Sequence, residues 1–483
     1  MFNNEIIGDR SNNSLMGTEE KDRILGFQGN DLLIGKQGND ILLGGAGEDI
    51  LNGANPNSRN PGAGEIDILS GAKDADTFVL GDAANIYYSE SGINDYALIK
   101  NFGANDTVQL KGEARDYFLR EDLVVGGSSG TAIIAEENEE LIGFIKHREN
   151  LNLDSDRFDY IELPDLDQIY VFSDSLADPG NIYNATKSVQ LIDNIFGSNI
   201  PVTPPSPPYF EGRFSNGLVW VERLAAELDV DLIPSTELAV IFPGLNLNSP
   251  VNLSFSDGFG LEINSNFKGR TTEESVNFAF GGAQTGAEGA GENGELIPGI
   301  QQQVEWFIED HQQADTTADS DALYIISGGR NDYSDDNPNP EDVVNNIEQE
   351  IESLYEIGAR DFLVSNLSDL GKLPATPAPL ADTFSGYTEA HNELLEQTIN
   401  ELNDSLTGAN IVILDFNALF DDILENPGDY DLTNVTDPYL DPITLEPTVG
   451  ANVDEYLFYD TVHPTAAVHE ITNDFVLKNM SLV

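Results

Sequence analysis

The chain has 483 residues with 85 Asp and Glu against 22 Lys and Arg, a formal net charge of −63, and no cysteine. The length suggests two or three domains, and 40% apolar residues with 9% aromatics exclude a disordered acidic polymer. Charge of this size repels phosphate backbones and anionic membranes, which argues against nucleic-acid binding, and the lack of Cys excludes disulfides, zinc–thiolate sites and a cysteine nucleophile. The acidity is uneven, with 29 acids against 13 bases in residues 1–160 and 56 against 9 in 161–483.

The first residues, Met1 to Asp9, have neither a basic stretch nor an apolar core, so no N-terminal signal peptide is expected. No run approaches eighteen apolar residues, so no transmembrane segment is expected either. Glycines then fall at 8, 17, 26, 35, 44, 53, 62 and 71, a spacing of nine. Five residues after each stand Asn13, Asp22, Asp31, Asp40, Asp49, Ser58, Asp67 and Asp76; seven after stand Leu15, Ile24, Leu33, Leu42, Leu51, Asn60, Leu69 and Phe78. The turn Gly53 to Pro61 keeps the length but loses both the acid and the apolar residue.

Glycines permit tight turns, the aliphatic position points inward from a short strand, and carboxylates from successive turns crowd one another. Such a ladder needs a hard cation, and carboxylate plus carbonyl oxygens are the ligands calcium prefers. The segment resembles the nonapeptide repeats of RTX (haemolysin-type) calcium-binding proteins, which form a parallel β-roll. The resemblance implies structural calcium, with Asp22, Asp31, Asp40, Asp49, Asp67 and Asp76 as its carboxylates. The second glycine of the repeat is replaced by Ser11, Glu20, Pro56, Glu65 and Asp74, so fewer sites than turns are expected. Residues 1–84 are read as this roll, and 85–162, with short alternating runs between Gly/Asn/Asp turns, as a β cap that continues or closes it.

From 166 to 483 the texture is that of alternating strands and helices. Buried parallel strands are expected at Ile169-Tyr-Val-Phe, Ala322-Leu-Tyr-Ile-Ile, Phe362-Leu-Val and Ile411-Val-Ile-Leu, and helices near 217–228, 296–312, 340–357, 386–403 and 465–478. This predicts a three-layer α/β domain with a mainly parallel sheet, whose functional residues belong on loops at the carboxyl ends of the strands.

Those loops carry Ser173-Asp-Ser175-Leu, Phe280-Gly-Gly282-Ala, Gly328-Gly-Arg-Asn331-Asp and Asp460-Thr-Val-His463-Pro. An acyl-transfer hydrolase needs a hydroxyl nucleophile, an imidazole base, a carboxylate to orient it and donors for an oxyanion. Ser175, His463 and Asp460 supply the first three; the Ser175 N–H, the Gly282 N–H and the Asn331 amide supply the last. The four segments, with Gly212–Glu222 and Val364–Pro374 beside them, resemble the blocks of the GDSL/SGNH esterase/lipase family in order over 168–480.

That resemblance implies a flavodoxin-like SGNH fold and a serine esterase or lipase acting on a small-molecule or lipid ester through an acyl-enzyme, with no cofactor in the chemistry. Ser173 stands where the family usually has Gly; if that position required positive φ, strain of about 1 kcal/mol and lowered activity would follow. A different class of function, a calcium-dependent extracellular surface or binding protein with an inactive hydrolase-like domain, is favoured if Ser173 has disabled the loop. His469 is read as structural. The repeats imply an extracellular protein exported by a type I-like route, for which the tail from Phe475 to Val483 offers a faint signal.

Overall fold

The computed structural model describes residues 2, 4–196, 201–242, 247–248, 251–254, 260–290, 296–334 and 338–480. The last three residues of the tail, 481–483, lie outside it. Two compact units are formed: Met1–Leu163 with Asp429–Asp431, and Pro164–Gly428 with Leu432–Val483.

In the first unit successive short strands alternate between two parallel sheets, so strands sharing a sheet are two turns apart in sequence. The aliphatic residue of each repeat stacks on its equivalents. In one sheet Ile24 pairs in register with Leu42, Leu42 with Leu69 and Leu69 with Ile99. In the other, Leu15, Leu33, Leu51, Phe78, Val108 and Phe158 follow one another. Ile24, Leu33, Leu42, Leu51, Leu69 and Phe78 are fully buried, so the period of nine is the period of the core.

The ladder runs past residue 84. Strands Tyr96–Lys100, Thr107–Lys111 and Phe158–Ile161 add to the same two sheets; Glu140–Lys146 joins Tyr96–Lys100 in parallel, and Gly130–Ala135 and Tyr117–Arg120 finish that sheet in antiparallel fashion. The turn that lost its acid and apolar residue leaves the ladder. Leu42 pairs with Leu69 and Leu51 with Phe78, 27 residues apart where the preceding pairs are 18 apart. A turn with no side chain for the stack and no carboxylate for the edge gains nothing by joining, and Asp67 takes the place Ser58 would have held.

The second unit is built on a parallel sheet in the order Leu232–Pro234, Ser275–Asn277, Ile169–Ser173, Leu323–Ser327, Asp361–Ser365, Asn410–Leu414. Every residue of Ile169–Ser173 and Leu323–Ser327 is buried, which requires cover on both faces. One face packs Tyr170, Phe172, Tyr324 and Ile326 against helices Ile300–Ala314, Pro340–Ile357 and Ala381–Ser405. Helices Trp220–Glu227, Phe416–Glu425 and Ala466–Asn479 pack on one another, with Phe416 in ring contact with both Trp220 and Phe475. The five expected helices are present, with ends shifted by up to five residues. Helices Asn181–Phe196 and Phe416–Glu425 and the two strands on one side of the sheet, Leu232–Pro234 and Ser275–Asn277, were not anticipated. The chain leaves Ile169–Ser173 to build one side of the sheet and returns to build the other, so loops from both sides meet at its carboxyl end.

Candidate active site and carboxylate ladder

Ser175 follows the central strand directly and is 5% exposed. The turn is set by Asp174, whose Oδ1 accepts from the Leu176 N–H at 3.0 Å and whose carbonyl accepts from the Ala177 N–H. His463 approaches from the loop before the last helix and brings Nε2 to 2.9 Å from the Ser175 Oγ. Its Nδ1 lies 2.8 and 3.0 Å from the two oxygens of Asp460. Facing a carboxylate, Nδ1 carries the proton, which leaves Nε2 as the acceptor for the serine hydroxyl.

Asp460 is held from several sides. Its Oδ1 accepts from the Val462 and His463 N–H groups at 2.8 Å each, and its Oδ2 from the Tyr209 hydroxyl at 2.6 Å. Burial raises the carboxyl's pKa, but the His463 charge and the hydrogen bonds from His463 and Tyr209 outweigh it and hold the group well below the usual carboxylate range. Phe214 lies on the imidazole with ring centroids 4.8 Å apart. The tight fit behind Phe214 explains Gly281, where a Cβ would come within 2.2 Å of the ring.

Gly282 has φ +88°, a conformation that suits glycine. Asn331, in the turn after Leu323–Ser327, donates from its amide to the Ala283 carbonyl at 2.9 Å and reaches Asp174 Oδ2 at 3.4 Å. Asp332 accepts from both the N–H and the hydroxyl of Thr285. The Asn331 loop is thereby tied to the Gly282 loop and to the residue before Ser175.

Asp178 ties in the remaining side, and the sequence reading missed it. Its Oδ1 accepts from the Gly180 and Asn181 N–H groups, which starts helix Asn181–Phe196, and its Oδ2 accepts from the Gly281 N–H at 2.8 Å. Burial pushes its pKa up to about 7 against those bonds. The run Asp178-Pro-Gly-Asn181 before an amphipathic segment was the available signal.

Ser173 is not strained. It is the last residue of an extended strand, absent from the positive-φ positions; its hydroxyl donates to the Ser327 carbonyl at 2.5 Å and its N–H to Gln303 Oε1. The expectation of strain at this position is corrected: the serine is a buried, satisfied link between two strands. His469 accepts from the Trp220 N–H, and burial pushes its pKa down to about 3, so it is a neutral structural residue. His391 and His311 bond to Tyr333 and Thr316.

A cavity opens beside Leu176 and Val462, sequence neighbours of Ser175 and His463. Its walls include Leu367, Phe416, Phe420 and Leu457. Arg330 also lines it, with an Nε that has no hydrogen-bond partner.

In the first unit five ladder carboxylates accept, through Oδ1, the backbone N–H of the equivalent residue one step back in the same sheet, while Asp22 Oδ1 accepts from the Asn4 side-chain amide. Asp31, Asp40, Asp49, Asp67 and Asp76 take the N–H groups of Asn13, Asp22, Asp31, Asp40 and Asp49 at 2.7–3.1 Å. Asp106, not anticipated, continues the series on Asp76. The second oxygens differ. Asp22 Oδ2 accepts from Thr18, and Asp67 Oδ2 from the buried Tyr88 hydroxyl at 2.7 Å. Asp31, Asp40, Asp49 and Asp76 each keep a buried Oδ2 with no hydrogen-bond partner.

These oxygens explain the glycine period. A Cβ on Gly26 would lie 2.3 Å from Asp31 Oδ2 and 2.7 Å from the Gly44 carbonyl oxygen; one on Gly35 would lie 2.5 Å from Asp40 Oδ2 and 2.4 Å from the Gly53 carbonyl. Carboxylate and carbonyl oxygens therefore gather where a side chain would be, a donor set that fits a hard cation. No three acidic or imidazole groups converge on a point among the described residues, so backbone carbonyls would complete such a shell. Burial pushes the pKa of Asp40 up to about 9, of Asp49 to about 6 and of Asp76 to about 7, against the backbone hydrogen bonds that lower it.

Comparison with known proteins agrees with both units. The model of the GDSL-like lipase/acylhydrolase family matches residues 169–476, and that of the RTX calcium-binding nonapeptide repeat matches 25–55 and 61–96. A thermolabile hemolysin of Vibrio parahaemolyticus is 23% identical over 65% of this chain and 64% of its own length. The chain thus spans somewhat less than two thirds of that relative. A GDSL esterase/lipase of Arabidopsis thaliana is 26% identical over 63% of this chain and 79% of its own. A phosphatidylcholine-sterol acyltransferase of Aeromonas hydrophila is 24% identical over 63% and 88%. The chain belongs to the GDSL-like lipase/acylhydrolase family and carries RTX-type calcium-binding repeats ahead of that domain.

Proposed function

We propose that the chain hydrolyses carboxylic esters through an acyl-enzyme on Ser175. The observation that carries this reading is the His463 imidazole, 2.9 Å from the Ser175 hydroxyl on one side and 2.8 Å from Asp460 on the other. As the Ser175 Oγ attacks the ester carbonyl carbon, its proton passes to His463 Nε2, and Asp460, kept ionised by its donors, stabilises the imidazolium. The developing oxyanion accepts from the N–H groups of Ser175 and Gly282 and from the Asn331 amide. One amide hydrogen of Asn331 is fixed on the Ala283 carbonyl, and the other exchanges its long contact with Asp174 for the oxyanion. Collapse expels the alcohol, which takes the proton from His463. Water, deprotonated by the same imidazole, then attacks the acyl carbon, releases the acid and restores Ser175.

Calcium in this reading is structural and bound by the roll, with Asp31, Asp40, Asp49 and Asp76 as carboxylate ligands, while Asp22 and Asp67 are satisfied by protein donors. Binding only to the folded roll, it stabilises that unit and leaves the chemistry to the other. The repeats further support an exported protein, and no described helix is long and apolar enough to cross a membrane.

The test is Ser175→Ala. Hydrolysis of p-nitrophenyl butyrate is expected to fall by at least about 10^3-fold, while calcium still raises the thermal stability of the roll. Turnover at the wild-type rate would overturn the assignment.

A further inference from the structure

Beyond the chemistry, the second unit exposes large apolar side chains on segments bonded to the loop of its candidate site. Five large hydrophobic residues of this unit are exposed among the described residues: Phe210, Leu218, Leu380, Ile443 and Val449, the last two at 90% and 99%. All five stand on segments that touch the loop carrying Asp460 and His463. Phe210 follows Tyr209, whose hydroxyl bonds Asp460. Leu218 ends the segment in which Ser215 donates to the Pro464 carbonyl and Asn216 accepts from the Ala466 N–H. Leu380 closes the turn that begins where the Ala375 N–H meets the Thr461 carbonyl.

Ile443 and Val449 flank a hairpin-like loop anchored by the Leu440 N–H on the Tyr459 carbonyl. That loop is ordered by its own chemistry. Asp441 Oδ1 accepts from the Ile443 and Thr444 N–H groups, and the Thr448 N–H returns to the Tyr439 carbonyl. Tyr209, Leu440 and Tyr459 pack together beneath it. Isoleucine and valine are thus held in almost full contact with water on a built loop tied to the one that carries Asp460 and His463.

We propose that this rim docks the protein onto a lipid surface of no net charge. Resting on the ester-hydrolase reading, the proposal names the physical state in which the substrate is met. Two observations select the occupant. An apolar cavity is lined by Leu176 and Val462, neighbours of Ser175 and His463 on the same loops, so an acyl chain withdrawn from a lipid layer and held there passes from one apolar environment to another. Exposed acids alternate with the apolar residues, Glu211 beside Phe210, Asp382 near Leu380, and Asp441 and Glu446 around Ile443. The base in these segments, Arg213, is taken by Glu222 at 2.6 Å. Such a rim is repelled by anionic headgroups and is free to insert its apolar tips among zwitterionic ones.

The calcium-loaded full chain, wild type and Ser175→Ala, is sedimented with phosphatidylcholine vesicles and with phosphatidylglycerol vesicles. Most of the protein is expected to pellet with the former and at least fivefold less with the latter. The double variant Ile443→Asp/Val449→Asp should lose at least fivefold of the phosphatidylcholine binding. It should also lower, at least tenfold, the ratio of turnover on emulsified ester to turnover on the same ester below its solubility limit. Failure to pellet with phosphatidylcholine, preference for phosphatidylglycerol, or binding untouched by the double substitution would overturn the proposal. So would a dimer in the ultracentrifuge that the double variant dissolves, since the rim would then cover a second copy of the chain. A wild type that binds vesicles yet hydrolyses no ester would leave the surface standing and sink the catalytic reading instead.

Discussion

Asp40 in the roll and Asp460 in the α/β unit show two ways of burying the same side chain. Asp460 gathers donors for both oxygens from Tyr209, Val462 and His463, and is held as a stable anion. Asp40 receives a single N–H on Oδ1 and keeps Oδ2 unpartnered in the interior, where burial drives its pKa up to about 9. A buried carboxylate is costly unless its lone pairs are taken. One site meets that cost with the chain's own groups and is complete in itself. The other is complete only with a cation or a proton from outside. Catalysis needs the first arrangement, because the charge must already be in place when the imidazolium forms; a folding unit governed by its medium needs the second.

The sharpest way to break this contrast is to neutralise the anion that is complete. Asp460→Asn keeps the size but removes the charge and the preference for a protonated Nδ1. Turnover is expected to fall by about 10^3–10^4-fold, with calcium-dependent melting unchanged. A loss under tenfold would mean that Tyr209 and the loop orient His463 without the charge.

The incomplete site responds to the medium. With calcium at about a hundred times its dissociation constant, each occupied site adds about 2.7 kcal/mol to the roll, lost in EDTA. In EDTA the pH dependence follows from the raised carboxyls. Asp49, Asp76 and Asp40 have folded pKa values of about 6, 7 and 9, above those of an unfolded chain. The contribution of these carboxyls to the stability of the calcium-free roll is therefore fully present below about pH 4 and is lost as pH rises through about 6 to 9. Calcium displaces those protons, so its affinity should tighten over the same interval. Urea denaturation of the roll at pH 5 and 8, with and without calcium, checks both signs; an EDTA-treated roll more stable at pH 8 would contradict the description of these oxygens.

The smallest effect is expected at Tyr88, where the roll itself uses the self-sufficient device. Its hydroxyl completes Asp67 at 2.7 Å. Tyr88→Phe frees that oxygen and should cost about 1–3 kcal/mol in EDTA, with part of the loss recovered in calcium. An equal loss in both conditions would show that the freed oxygen is not reached by a cation.

The loops of Ser175, Gly282, Asn331 and His463 could be read from the sequence because each combines a reactive residue type with a glycine, proline or asparagine turn at the end of an apolar run. Their supports could not. Tyr209 acts on Asp460 across 251 positions, and no local pattern distinguishes it from another aromatic. Asp178 was nearer to legible, since it precedes Pro-Gly-Asn at a helix start. In the roll the core period was plain for as long as it was nine residues. It became invisible once intervals lengthened to 30 between Leu69 and Ile99 and to 50 between Val108 and Phe158, although the same stack continues. Helix Phe416–Glu425 was legible and was missed: Phe416, Leu419, Phe420, Ile423 and Leu424 stand at helical spacing behind Asp415, which caps the Ala418 N–H.

The turn that leaves the ladder between Asn52 and Ile66 acts as a parity switch. Each nine-residue unit carries the chain from one sheet to the other, so the number of units that join decides on which side the next segment emerges. Had Gly53–Pro61 joined, Asp67 and every later element would have changed sheets. The strand Tyr96–Lys100 and the antiparallel strands beyond it would then extend the opposite sheet. Lengthening or shortening such a roll by one unit preserves its core and its ligands alike, yet moves every later strand of the roll to the other sheet. A change of two units would keep each strand in its sheet as well, which makes eighteen, not nine, the neutral step for engineering its length.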